Sequence, residues 1–171
     1  VKPIILLAAL LASVALADVR VPNTKVSYRL ALDPMTDRNA SMVFIDAAED
    51  SSGQTYVAFK CDAGTPWFGL YTRTPLSSRV DVEMGSSLPI YYRVDSDPID
   101  SIDTFPRYSD KTGQITISEA FQRDSMAMLY AFLSAKTRVM VRFNHYTGRQ
   151  ITYTFPAAGF GKAFQSIKSC R

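Results

Sequence analysis

The sequence predicts a β-rich α+β fold: an antiparallel sheet or sandwich, with one helix before the last hairpin and a short C-terminal helix. Three observations carry this. Most of the chain alternates apolar and polar residues with period two and is rich in β-branched and aromatic side chains. One long stretch, residues 118–135, has neither Gly nor Pro and is rich in Ala, Leu and Met. Near the end, Phe160, Ala163, Phe164 and Ile167 fall at helical spacing.

The elements follow in order. Residues 25–32 (KVSYRLAL) put Val26, Tyr28, Leu30 and Leu32 on one strand face. A turn follows from Asp33 to Asp37, where Pro34 presets φ and Asp33 bonds the backbone two residues on. Residues 40–47 form the next strand. The polar loop 49–53 makes it a hairpin with residues 55–61, where Val57, Phe59 and Cys61 alternate. Residues 67–72 are a short aromatic strand. Residues 79–84 (RVDVEM) alternate as a further strand, and residues 89–95 (PIYYRVD) give another.

Residues 95–110, with Asp97-Pro98 and Phe105-Pro106, read as loop, and residues 115–117 as a short strand. The helix over 118–135 takes Ser118 as its N-cap, with Glu119 in the first turn. Phe121, Met128, Leu129, Phe132 and Leu133 form its apolar face. Residues 137–146 and 150–155 are the last hairpin, turned at Thr147-Gly148 and ended by Pro156. The final helix runs toward Cys170.

The N-terminus reads VKPIILLAALLASVALA. A cation, Lys2, precedes an apolar run that meets the small-residue site Ala15-Leu16-Ala17. This is the layout of a secretory signal peptide, and the run is shorter than the roughly 20 residues needed to span a bilayer. The expected organisation is a signal peptide over 1–17 and one globular domain over 18–171, periplasmic or secreted. Asp18, not Cys, follows the expected cut, so a lipid-bearing cysteine is excluded there.

The chain has 171 residues, 47% hydrophobic and 20% charged, so a disordered or fibrous chain is excluded. A net charge of +3 is too mild to imply nucleic acid. Cys61 and Cys170 are the only cysteines. Two thiols cannot complete a zinc site, and an even count in an exported chain is expected to form a disulfide.

Candidate chemistry is thin, and no cofactor or catalytic residue is expected. His145, the only histidine, ends a strand beside a turn, and no G-x-S-x-G elbow is present. Asp95, Asp97, Asp100 and Asp103 could hold a hard cation, but the EF-hand layout is missing and a solvated loop is expected. Asp33 and Asp37, a possible acid–base pair, read as turn-formers. Gly159-Phe160-Gly161-Lys162 lacks the Ser/Thr of a phosphate loop and reads as a helix start. Asn39-Ala40-Ser41 matches a glycosylation sequon. Aromatics are frequent (Tyr56, Phe59, Trp67, Phe68, Tyr71, Tyr91, Tyr92, Tyr130, Tyr146, Tyr153), and some alternate with Arg73, Arg79, Arg93, Arg138, Arg142 and Arg149. Such a set on a sheet face can make a ligand or protein contact surface, but core on one face and solvated charge on the other is the expected reading.

One order of motifs stands out. Leu32-Asp33-Pro34-Met35-Thr36-Asp37 precedes a strand, and a second strand ends at Cys61. Then come Phe68-Gly69-Leu70-Tyr71, Tyr92-Arg93-Val94-Asp95 with Pro98, and a helix ending at Ala135 before Arg138-Val139-Met140-Val141-Arg142. Phe155, Gly159, Ala163 and Cys170 close the series. Over residues 25–170 this resembles the small exported VasI/TagO-like proteins associated with type VI secretion. The resemblance implies a bacterial envelope protein with an accessory, non-enzymatic role, an envelope or secretion-apparatus partner and a Cys61–Cys170 bridge. A secreted hydrolase acting on wall or polymer substrates and a secreted protein inhibitor are the alternative readings.

Overall fold

The computed structural model describes residues 17–62 and 64–168. The expected signal peptide, apart from Ala17, and Cys170 lie outside the described residues. Among the described residues, ten strands form one sheet: β1 (Val19–Arg20), β2 (Val26–Arg29), β3 (Met42–Asp46), β4 (Tyr56–Asp62), β5 (Thr65–Tyr71), β6 (Leu88–Val94), β7 (Asp100–Arg107), β8 (Ile117–Ala120), β9 (Arg138–Asn144) and β10 (Gln150–Pro156). The helices are α1 (Arg79–Glu83), α2 (Gln122–Ser134) and α3 (Phe160–Ile167). The spatial order is β1-β2-β3-β4-β5-β8-β7-β6-β9-β10, and the paired neighbours are antiparallel. The α+β, β-rich class expected from the sequence is the class observed.

The alternation explains the layers. In β4, Val57, Phe59 and Cys61 are buried on one face; in β9, Val139, Val141 and Phe143 are. Side chains two apart share a face, so these residues line the inner side of the sheet. Against that side packs α2, burying Ser125, Met128, Leu129, Ala131 and Phe132. Phe160, Ala163 and Ile167 of α3 are buried as well. Rings of Phe59, Phe132 and Phe160 meet with centroids 5.0–5.5 Å apart, a mutually supporting aromatic centre. The sheet curls around this core until β10 returns to the turn after β3. There the Ala48 N–H donates to the Thr154 carbonyl at 2.8 Å.

β7 makes the sheet continuous. Its first part pairs with β6 and its last part, Phe105–Arg107, with β8. A buried hydroxyl chain ties this switch: Ser118 Oγ donates to Thr104 Oγ1 (2.6 Å), which donates to the Leu88 carbonyl (2.8 Å). Buried polar atoms are tolerated when paired in this way.

Four expectations need correction. Residues 79–84 form a helix, not a strand. Ser78 caps it through the Asp81 N–H, and the Asp81 carboxylate returns to the Ser78 N–H, a reciprocal capping box. With Val80 and Met84 largely exposed, the alternation there had no buried face to serve. Residues 100–107, read as loop, are β7; Ile102, Thr104 and Pro106 alternate inward despite the neighbouring prolines and acids. Residues 118–120 belong to β8, not to the long helix. Ser118 is therefore no N-cap and Glu119 lies in no helical turn; Phe121 takes the cap position without a side-chain bond and is exposed, as is Leu133. The pull on 118–120 is tertiary, since β8 fills the gap between β5 and β7. Last, β2 stops at Arg29, and Leu30 and Leu32 are exposed where the chain leaves the sheet into the Asp33 turn.

Candidate functional site

On the outer face of the sheet, β6, β9 and β10 bring an arginine-rich set together. Inward Ile90 and Tyr92 leave Tyr91 and Arg93 pointing out, and inward Val141 leaves Met140 and Arg142 out. Register then fixes the neighbours. Tyr91 lies opposite Arg142, Arg142 opposite Thr152, and Arg93 opposite Met140. Ile99, from the turn before β7, closes one side. These residues line a cleft of about 230 Å³.

The two guanidiniums are held by neutral oxygens. Arg142 Nε donates to Thr152 Oγ1 at 3.0 Å. Arg93 donates from Nε to the Asp97 carbonyl (3.0 Å) and from Nη2 to the Ser96 carbonyl (3.2 Å). Among the described residues the ion pairs are Arg20–Asp46, Arg29–Asp18, Arg79–Glu83 and Arg107–Glu119, and none includes Arg93 or Arg142. Two positive forks, held by neutral oxygens and lining one cleft with apolar Met140 and Ile99, suit a carboxylate-bearing group. Chemically, the arrangement can offer hydrogen bonds to an anion and apolar contact beside them.

The other sequence candidates are scattered. Asp95 holds the link from α2 to β9: its carboxylate accepts the Thr137 hydroxyl and the N–H groups of Arg138 (3.0 Å), Lys136 (2.8 Å) and Thr137 (3.0 Å). These bonds, the Thr137 hydroxyl first, hold its pKa well below the usual carboxylate range. Asp100 instead accepts from the Tyr92 hydroxyl at 3.1 Å, and Asp103 lies opposite Pro89 in the ladder. No metal-sized group of His, Cys, Asp or Glu converges among the described residues.

Asp33 is a turn-former, as expected: its Oδ1 accepts from the N–H groups of Met35 and Thr36, both at 2.9 Å, and these bonds lower its pKa. Asp37 completes that turn at φ 55°. His145 is buried, and its Nδ1 lies 2.7 Å from Thr147 Oγ1 and accepts the Thr147 N–H at 3.2 Å, so it closes the last hairpin turn. Gly159 starts α3 at φ 89°. A Cβ there would sit 2.9 Å from Val21 Cγ1, so packing requires this glycine. Asn39 is partly buried and its amide donates to the Ile167 carbonyl at 2.7 Å, which commits the nitrogen a glycan would need.

A second cluster lies further along the outer face. Tyr56 and Tyr71 stack at 4.6 Å, and burial pushes the Tyr71 hydroxyl up to about 12. Lys60 sits 4.9 Å from the Trp67 ring centre. Glu119, nearly buried, pairs with Arg107 at 2.9 Å, yet burial outweighs that charge and raises its pKa.

The contact-surface reading named Tyr91, Arg93 and Arg142, and the fold does bring these three together. Arg79 is spent on Glu83. Sequence reasoning missed Met140, Ile99, Gln150 and Thr152. The available signal was Met140 midway between Arg138 and Arg142 at outward positions of one strand. No family model matches this chain, and neither does a curated protein or a solved structure.

Proposed function

We propose that the chain is an exported, disulfide-bonded accessory protein of the bacterial cell envelope that works by binding a partner, not by catalysis. The observation that carries the binding reading is the Arg93–Arg142 cleft, a pair of immobilised cations without an acidic partner among the described residues. Binding also fits the groups a hydrolase would use. Of Asp33, Asp37 and His145, the residues a hydrolase would use, the Asp33 carboxylate and the His145 ring are each tied to neighbouring turn atoms. The order of motifs resembling VasI/TagO-like proteins supports an accessory role in type VI secretion as the finer form of this reading.

Export rests on the N-terminal cation, apolar run and Ala15-Leu16-Ala17 site. The Cys61–Cys170 bridge rests on two facts. Cys61 is buried and is not a free thiol. In addition, the end of α3 is tied to Asn39 at Ile167, and Asn39 lines the same hollow as Cys61.

A pull-down tests the function. The oxidised chain is immobilised and offered envelope and secreted fractions of its source, with bound material identified by mass spectrometry. Recovery of one envelope or secretion-apparatus component supports the reading. Recovery of wall fragments that the chain then cleaves overturns it in favour of a hydrolase. Peptide mapping without reductant should recover Cys61 joined to Cys170, and reduction should cost about 2–5 kcal/mol of stability.

A further inference from the structure

β10 is an edge strand, and the parity of its hydrogen bonds is fixed by its ends. The Arg149 carbonyl accepts from His145 on the β9 side. Thr154 points the other way: its carbonyl accepts from the Ala48 N–H, and its N–H donates to the Glu49 carboxylate at 2.9 Å. Backbone groups alternate sides along an antiparallel strand. The N–H and C=O of Gln150 and Thr152 therefore face away from β9, as those of Thr154 do. The turn at Ala48–Glu49 seals Thr154 alone. Among the described residues, no turn, loop or side-chain hydrogen bond reaches the outward backbone groups of Gln150 or Thr152.

Both faces of this open stretch are unfinished. On the inner side, Ile151 and Tyr153 are only half-buried, whereas Phe155, beside the sealed end, is fully buried. On the outer side, the bond from Arg142 Nε to Thr152 Oγ1 draws the guanidinium over the edge strand itself. We infer that β10 accepts an added strand from a partner protein, an extended segment alternating acidic and apolar residues. The outward Gln150 and Thr152 backbone groups pair with it, and Arg142 meets its acidic side chain. The segment's apolar side chains complete the cover over Ile151 and Tyr153.

A second copy of this chain fits poorly. Residues 150–155 (QITYTF) carry no acid to meet Arg142. The other sheet edge, β1, has only two residues. This inference deepens the binding role proposed above and rests on it.

The test uses the full oxidised chain with two labelled synthetic peptides, one alternating Val and Glu, the other Val and Lys. Fluorescence anisotropy should show the glutamate peptide binding at least about tenfold tighter than the lysine peptide. Amide exchange should slow at Gln150 and Thr152. Arg142→Gln should weaken the glutamate peptide about tenfold, as expected for loss of a charge-assisted pair, with an unchanged circular dichroism spectrum. Thr152→Pro, which removes an edge donor and the hydroxyl that holds Arg142 but no ladder bond, should abolish binding. Equal binding of both peptides, no binding, or protection away from residues 150–152 overturns the inference. So does self-association of the free chain through β10. A natural partner from the pull-down that still binds both variants overturns the edge inference and leaves the binding role standing.

Discussion

Gly69 shows how one residue shapes the outer face. It is buried in β5, and an added Cβ would lie 2.5 Å from Trp67 Cη2 and 3.1 Å from Tyr71 Cε2. The indole and the phenol ring cover the glycine, so a methyl group there forces both to move. Gly69→Ala is expected to destabilise by about 1–3 kcal/mol, the usual penalty of overpacking. Trp67 is the only tryptophan, so urea unfolding followed by its fluorescence reads both the loss and the displaced ring. Asp50 works through charge. Its pKa is held down to about 2 by the Ser52 hydroxyl and then by the backbone and Thr55 bonds. A folded pKa below the unfolded value of about 3.9 means that this carboxylate stabilises the fold above that pH and loses its effect as pH falls toward 2. Glu119 has the opposite sign: burial raises its folded pKa, so its contribution is present below the ordinary 4.5 and is lost as pH rises through the raised folded value. Denaturation curves at pH 6, 4 and 2.5 should show acid destabilisation that Asp50→Asn lessens, with Asp95 supplying part of the remaining slope. An Asp50→Asn protein with the wild-type pH slope would locate the effect elsewhere.

Elements differ in how far their own sequence decides them. α1 is the clearest local case. Alternating valines read as a strand, but the Ser78–Asp81 capping box and the lack of any buried residue make a short surface helix. Ser78→Ala is expected to cost about 0.5–2 kcal/mol of helix stability. The Asp81 amide, which donates to Ser78 Oγ at 3.2 Å, should then exchange faster by NMR while β4 and β9 amides keep their protection. β8 is the opposite case. Residues 118–120 are good helix sequence by composition, yet they fill a slot between two strands, with Ser118 answering Thr104 and Ser125 Oγ donating to the Ala120 carbonyl. Burying those hydroxyls in pairs outweighs a few tenths of a kcal/mol of helix propensity. β7 was hidden by Pro98 and Pro106. Pro106 is compatible because it lies near the strand's end, where pairing passes to β8.

At the scale of the molecule, stability centres on the rings between sheet and helices. Phe132 touches Phe59, Phe155 and Phe160 with centroids 5.1–6.4 Å apart. It joins α2 to the middle of the sheet, to the last strand and to α3. Phe132→Ala should cost about 3–5 kcal/mol, since a fully buried ring leaves a cavity that three anchored neighbours refill poorly. Urea denaturation should show a lower midpoint with an unchanged slope. A loss below about 1 kcal/mol would mean that the core relaxes freely around the hole. The same curl that encloses these rings brings β10 back to Ala48 and Glu49, sealing the edge at Thr154 and leaving Gln150 and Thr152 facing outward.

The sequence by itself determined which side of strands such as β4 and β9 is apolar. It also fixed the Asp33 turn, the last hairpin and α3, because these depend on residues within a few positions of one another. Val57, Phe59 and Cys61, or Val139, Val141 and Phe143, need only the two-residue period to declare a buried face. Tertiary structure alone decided the rest. Arg93, Met140, Arg142 and Thr152 come from three strands, and nothing local to any of them names its neighbours. The period states the face a side chain takes, while strand order and register state what stands beside it. Those are set by long-range pairing around a shared core, which also turned 118–120 from helix into strand.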